Sequence, residues 1–203
     1  MPPVVVLLEG ASDAAVVEVL WAARGRRTRD PAAAHEVELR DMRGITNVGR
    51  QLDELAGRAT VLGLCDAPEE RFVLRGLRRQ GYAVADRADL ARLGFHVCDR
   101  DLEDELIRAL GPDRVQVVLE ELGELERFRA FQRQPQWRGR DVGDQLHRFA
   151  GTASGRKLLL ARRLAEELTD RSPLTSPVPC PTPSPVPRPL AALVADIERR
   201  VTA

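Results

Sequence analysis

The feature that most constrains the fold is an unbroken apolar run at residues 3–9, PVVVLLE. Such a run, without polar alternation, is typical of a strand covered on both faces, as in a parallel sheet. Three further short segments with strand patterns follow it, separated by stretches with helical periodicity. This alternation predicts an α/β fold, a mainly parallel sheet flanked by helices. We place strands at 3–9, 36–42, 60–65 and 94–98. Helices are predicted from a cap at Ser12 or Asp13 to about residue 24, at 46–56 and at 69–80.

The pattern changes beyond residue 100, where apolar residues recur at three- and four-residue spacings and predict a helical extension. The segment VQVVL alone is ambiguous between strand and helix. A stretch holding 8 of the 14 prolines then predicts an extended linker. A last amphipathic helix either folds back on the domain or binds a partner. The predicted divisions are an α/β core at 1–110, a helical extension at 111–171, the linker at 172–189 and the final helix at 190–203.

The composition excludes several classes of protein. The chain has 203 residues, with 31 basic and 31 acidic side chains and no apolar run near the length of ~20 residues that a membrane span needs. The first residues lack the basic segment of a secretory signal, so we expect a cytoplasmic protein. Three scattered cysteines give neither a disulfide framework nor a zinc motif.

The zero net charge hides two opposite blocks. Residues 99–126 carry ten acids against three arginines, whereas residues 127–163 carry ten basic residues against two acids. Four aromatic residues interleave with the basic block, which suits nucleic-acid binding through phosphates and bases. The alternative is two helical segments with oppositely charged solvated faces, and the charge pattern alone favours it. The basic candidates for nucleic-acid binding are Arg133, Arg138, Arg140, Arg148 and Arg156.

Acidic residues end three of the four predicted strands: Glu9, Asp66 and Asp99. In parallel sheets ligands bind beyond the carboxyl ends of the strands, so these acids can converge on one crevice. Clustered carboxylates repel one another unless a hard cation such as Mg²⁺ or Mn²⁺ neutralises them. Helix capping is the competing explanation for Asp13, Asp99 and Asp101.

The chain contains one lysine, Lys157, among 31 basic residues. Where arginine replaces lysine nearly everywhere, a retained lysine either serves a function that needs a compact ammonium group or has been retained by chance. The residue type alone leaves both explanations open.

Several motifs resemble a known family. VVVLLEGASDAAVVEVL and VLGLCD are similar to the first and second motifs of the toprim (topoisomerase–primase) domain. The whole chain apart from the proline-rich linker resembles the toprim proteins related to OLD (overcoming lysogenization defect) family endonucleases. The segments that carry this closer resemblance are GFHVCDRDLEDELIRALG, QPQWRG, QLHRFAGTASGRKLLLARRLAEEL and PRPL.

The resemblance implies a Rossmann-like toprim fold and phosphodiester hydrolysis assisted by two Mg²⁺ or Mn²⁺ ions. It implies that Glu9, Asp13 and Asp66 hold one ion, and that Asp101 and Glu103, together with Asp99, hold the second. Lys157 matches the lysine that these nucleases place near the scissile phosphate. Glu9 and Lys157 are therefore the implied catalytic residues.

The chain departs from the family in two places. A toprim second motif is Asp-x-Asp, but here Ala67 and Pro68 follow Asp66. Either Glu69 or Glu70 replaces the missing ligand, or one metal site is weak. OLD proteins also carry an ATPase domain before the toprim domain, and no Walker A motif occurs here, so we expect ATP to act through a separate ATPase partner or not at all.

We therefore predict a divalent-metal-dependent nuclease acting on DNA, with RNA as a second possible substrate and a homodimer as a possible state. The alternative is a non-catalytic toprim module that binds nucleic acid or an ATPase partner. A topoisomerase would need a tyrosine nucleophile, and the only tyrosine, Tyr82, is predicted to pack at the start of an edge segment. His96 is predicted to pack within the fourth strand, Trp21 within the core, and Trp137 to be partly exposed.

Overall fold

A computed structural model describes residues 2–26, 36–153, 155–169 and 186–202. Contacts divide the chain into two compact units. The sheet unit is Met1–Leu102 with Arg188–Ala203, and the helical unit is Glu103–Pro187. The sequence-based division placed its boundary after residue 110 and treated the last helix as a separate segment. Most of the predicted proline-rich linker lies outside the described residues.

The sheet unit confirms the predicted parallel α/β architecture. Its four strands are β1 (Val4–Leu8), β2 (Val37–Asp41), β3 (Thr60–Asp66) and β4 (Phe95–Cys98). All neighbouring pairs are parallel, in the order β2-β1-β3-β4. All five residues of β1 are buried, because helices cover both faces of this central strand.

Helices pack on both faces of the sheet. One face holds α2 (Val48–Leu55), α3 (Glu70–Arg79) and α4 (Arg87–Arg92), whose apolar residues share one core with the side chains of β1, β3 and β4. The other face holds α1 (Ala11–Ala22) and the last helix, α10 (Arg188–Thr202), which contacts β3, β4 and α1. The last helix therefore folds back on the sheet.

The sequence-based account differs from the structure at three local points. Gly10, rather than Ser12 or Asp13, caps α1, and the Asp13 carboxylate accepts a hydrogen bond from the Gly10 backbone N–H at 2.8 Å. Helix α4 was not predicted. Tyr82 lies in an irregular segment and is 50% exposed, so it is not a packed residue.

The described residues of the helical unit form five helices, the first of which begins at the unit boundary. They are α5 (Leu102–Leu110), α6 (Pro112–Glu121), α7 (Leu125–Gln132), α8 (Val142–Ala150) and α9 (Arg156–Thr169). The ambiguous VQVVL segment is helical, within α6. Phe128 and Phe131 of α7 pack against Phe149 of α8, with 5.3 and 5.6 Å between the ring centroids. Within the described ranges, no helix is both long and apolar enough to cross a lipid bilayer.

Candidate active site

The topology of the sheet places a crevice between β1 and β3. From β1 the chain passes to β2 on one side and then to β3 on the other, so the strand order reverses at this pair. Ligands of parallel sheets bind at such a switch point, beyond the carboxyl ends of the strands. Glu9 directly follows β1 and Asp66 ends β3, so both acids lie at this crevice.

The backbone around Glu9 is fixed from the side of β2. The Met42 N–H donates to the Leu8 carbonyl at 2.8 Å, and the Gly44 N–H donates to the Glu9 carbonyl at 2.9 Å. These bonds continue the contact between the two segments past the end of β2 and as far as Glu9, the residue after β1. They hold the base of the Glu9 side chain in one position before any ligand binds.

Three carboxylates meet at the crevice: Glu9, Asp66 and Glu69. One oxygen from each lies within 4.8 Å of the other two, and all three residues are half-buried. The buried Oε2 atom of Glu69 has no hydrogen-bond partner within the described parts of the chain. A buried carboxylate oxygen without a donor is costly, and three clustered carboxylates repel one another. A hard divalent cation removes both penalties, so this donor set fits Mg²⁺ or Mn²⁺.

The structure distinguishes between Glu69 and Glu70, the two candidates to replace the missing ligand of the second motif. Residues Ala67–Glu69 form a single 3-10 turn after β3, and α3 begins at Glu70. Glu69 joins the carboxylate cluster. Glu70 instead accepts a hydrogen bond from Arg87 at 3.0 Å.

Arg87 also holds Asp99, with 3.1 Å between the guanidinium and the carboxylate. The Asp99 side chain is 69% exposed. Arg87 comes from α4, the helix missing from the sequence-based account, so its contact with two candidate acids was not foreseen. No sequence signal marked it, because one arginine among many carries little information.

The other implied metal ligands have separate environments. Asp13 is the hydrogen-bond acceptor of the Gly10 N–H, as in a capping box. Asp101 is half-buried just before α5. In the helical unit, Glu103 is 5% exposed and its Oε2 lies 3.1 Å from the Lys157 ammonium nitrogen. Within the described ranges only Glu9, Asp66 and Glu69 form a group of three close acidic ligands, so the roles of the others stay predictions.

Cys65 precedes Asp66 but is not a metal-ligand candidate at neutral pH. Burial raises the pKa of its thiol to about 12, and the charges of Asp66, Glu70 and Glu69 add to this effect. The thiol therefore stays protonated, whereas a metal-binding cysteine is a thiolate. The oxygen ligands of the crevice remain, and they favour a hard cation.

The five predicted nucleic-acid-binding arginines differ in their surroundings. Arg133, Arg138, Arg140 and Arg148 are exposed. Arg156 is mostly engaged inside the helical unit, 2.8 Å from Glu124 and 4.0 Å from the centre of the Phe149 ring. Arg140 lies 5.7 Å from the centre of the Trp137 ring. Exposure alone therefore favours the first four as contacts for phosphate groups.

The comparisons with known proteins concern the fold. No protein-family model and no curated protein matches the chain. The C-terminal region of the Xanthomonas campestris pv. campestris OLD protein matches with a TM-score of 0.63 and 18% identity, covering 100% of this chain and 97% of that one. The C-terminal region of the Burkholderia pseudomallei OLD protein matches with a TM-score of 0.59 and 17% identity, covering 99% of each chain. The chain thus has the fold of OLD C-terminal regions over its whole length.

Proposed function

We propose that this protein is a divalent-metal-dependent nuclease that hydrolyses phosphodiester bonds in DNA. The observation that carries the proposal is the cluster of Glu9, Asp66 and Glu69 at the switch point of the sheet, with a buried Glu69 oxygen that has no described partner. The shared fold with OLD C-terminal regions and the sequence motifs that resemble OLD endonucleases support it.

Each side chain of the cluster has a defined task in this proposal. A cation held by Glu9, Asp66 and Glu69 would act as a Lewis acid on a phosphoryl oxygen and lower the pKa of a bound water. Glu9, fixed through the backbone of the neighbouring strand, keeps its carboxylate at the crevice. Asp13 supports the loop after Glu9 through its bond to the Gly10 N–H. Asp99, Asp101 and Glu103 remain the sequence-based candidates for a second ion.

Lys157 is the proposed cationic group for the reacting phosphate. Its side chain is 51% exposed, and its ammonium group is ion-paired with the buried Glu103. The pair holds the ammonium at one place while leaving part of it accessible. A fixed positive charge of this kind stabilises the negative charge that grows on the phosphoryl oxygens in the transition state.

Cleavage of supercoiled plasmid tests the proposal. We expect nicking with Mg²⁺ or Mn²⁺ and none with EDTA. Glu9→Gln, Glu69→Gln and Lys157→Ala should each lower the rate by on the order of 100-fold or more. Glu70→Gln is the matched control, because Glu70 neighbours Glu69 but bonds to Arg87. Cleavage by this chain alone is rejected if the wild type is inert with both ions, and the metal role of Glu69 is rejected if Glu69→Gln and Glu70→Gln cleave equally well.

A non-catalytic module is the second candidate function, favoured by the absence of the second aspartate after Asp66. In that case the wild type and all variants would be equally inert, yet the protein would still retard DNA in a gel. Adding a separate ATPase subunit then decides whether cleavage is absent or depends on that partner.

A further inference from the structure

The geometry points to a nucleotide-binding cleft in the helical unit that holds one unstacked nucleotide of a DNA strand. The inference rests on the proposed nuclease function and names its substrate class: DNA with a single-stranded segment. The cleft measures about 440 Å³. This volume is in the range of pockets for small ligands, so it suits one nucleotide and is too small to enclose a duplex.

The cleft walls combine cations, amides and aromatic rings without an acid. Three arginines line it, Arg127, Arg148 and Arg156, together with the amides of Gln134 and Gln136. No carboxylate is among the lining residues, all of which belong to the described part of the chain. Cations and amide donors without a competing acid favour an anionic ligand with polar edges, as a nucleotide is.

The aromatic wall provides a stacking surface. Phe131 and Phe149 are buried and form its base, with their ring centroids 5.6 Å apart. Trp137 stacks on Phe131, with 5.1 Å between centroids and 28° between the ring planes, and it is only half-buried. Trp137 is therefore the ring that can meet a ligand, and a base stacked on it would take the place of the Arg140 guanidinium, which lies 5.7 Å from the ring centre. Stacking of a base on an aromatic side chain is worth about 1–3 kcal/mol and tolerates any base.

The three arginines that line the cleft differ in whether their side chains are already bound to an acidic residue. Arg127 and Arg156 both bond to Glu124, so one carboxylate offsets part of their combined charge. Arg148 is exposed, and its side chain makes no hydrogen bond or ion pair with the described residues. Its guanidinium is consequently the group best placed to bind a phosphate without breaking an internal contact.

The cleft adjoins the proposed catalytic lysine along the chain. Arg156 lines the cleft, and Lys157 follows it in the first turn of α9. The backbone of Lys157 is therefore one residue away from the wall of the cleft, although its ammonium group is paired with Glu103. Bases inside a duplex are stacked on each other and cannot enter such a cleft, so the strand must be unpaired there, as in a gap, a flap, a free strand or a locally melted stretch of a supercoiled plasmid.

Tryptophan fluorescence in EDTA tests this inference without catalysis. The chain has two tryptophans, and Trp21 is 2% exposed in the core of the sheet unit. We expect a 20-nucleotide oligothymidylate to quench the wild type and Trp21→Phe, but not Trp137→Phe. Arg148→Gln should weaken binding about 3- to 10-fold. It should also reduce the slope of the logarithm of the binding constant against the logarithm of the salt concentration by about one, because one phosphate contact is lost. Arg162→Gln is the matched control, since Arg162 is 54% exposed in the same unit and does not line the cleft.

Three results would overturn the inference: no quenching in the wild type, quenching that persists in Trp137→Phe, or equal weakening by Arg148→Gln and Arg162→Gln. Blunt duplex DNA that quenches as strongly as the single strand would also overturn it. The outcome is distinguishable from that of the proposed function, because quenching is measured in EDTA, where binding does not depend on cleavage. Quenching without cleavage would support the nucleotide-binding cleft and contradict the nuclease function. Cleavage without quenching would support the nuclease function and contradict the cleft.

Discussion

At the scale of single residues, Glu69 is a side chain whose charge is unfavourable until a cation binds. Its carboxylate lies within 4.8 Å of those of Glu9 and Asp66, and like charges at this distance repel by about 1 kcal/mol even in water. We expect Glu69→Gln to raise the melting temperature in EDTA by about 2–4 °C, the shift that about 1 kcal/mol gives in a chain of this size. The measurement is thermal unfolding followed by circular dichroism.

The same variant should lose most of the stabilisation that Mg²⁺ gives the wild type, because a ligand that binds only the folded state raises its stability. Glu70→Gln is again the control, and it should respond to Mg²⁺ as the wild type does. A Glu69→Gln variant that is less stable in EDTA and still gains stability from Mg²⁺ would contradict a metal role for this residue.

The sequence predicts part of the cluster for a physical reason. Glu9 and Asp66 each end a strongly apolar strand, and the ends of parallel strands meet. The choice between Glu69 and Glu70 depends on the phase of one 3-10 turn, which the residue types do not encode. Arg87, which holds Glu70 and Asp99, belongs to a six-residue helix too short for a clear periodicity.

At the scale of elements, Glu124 joins two helices of the helical unit. It precedes α7 and accepts hydrogen bonds from Arg127 of that helix and Arg156 of α9. Burial raises the pKa of Glu124, but the bonds and charges of the two arginines outweigh it and hold the pKa below its ordinary value of 4.5. The stabilisation is therefore complete above pH 4.5 and is lost as the pH falls through the lowered pKa.

Glu124→Gln should accordingly destabilise the protein by about 1 kcal/mol at pH 7, because Arg156 loses its charged partner. The difference from the wild type should shrink toward pH 3. Unfolding midpoints measured from pH 7 to pH 3 check this. Glu126→Gln is the control, since Glu126 is 78% exposed and pairs only with the exposed Arg129. A destabilisation by Glu124→Gln that does not change with pH would exclude the ionic origin.

The elements also show where sequence patterns stop being informative. The four strands were predicted nearly to their observed ends. For β1, β3 and β4 the reason is that strands buried on both faces have mainly apolar sequences, whereas β2 (VELRD) lies at the edge of the sheet and is only partly buried. The last helix was predicted as amphipathic, but an apolar face does not indicate which surface of the protein will cover it. The docking of α10 onto β3 and β4 depends on long-range contacts such as that between His96 and Asp196, which are 100 residues apart in the chain.

At the scale of the whole molecule, the chain leaves the sheet unit after Leu102 and returns to it at Arg188. The returning helix contributes Leu190, Leu193, Val194 and Ile197 to the core, all at most 2% exposed. The buried Asp196 lies 2.7 Å from the Nε2 atom of His96 in β4. Packing of this kind does not require the covalent connection through the intervening residues.

We therefore expect α10 to stay bound after the chain is cut. A specific protease site inserted between Thr175 and Ser176 and then cleaved should leave the C-terminal fragment co-eluting with the rest in size-exclusion chromatography at micromolar concentration. Leu193→Ala should release the fragment, because removing a buried leucine side chain costs about 2–5 kcal/mol, or about 30-fold or more in affinity. Glu198→Ala, which removes only a surface ion pair with Arg24, should retain it. Release of the wild-type fragment would show that the helix depends on the chain connection, because its own packing would then be too weak to hold it.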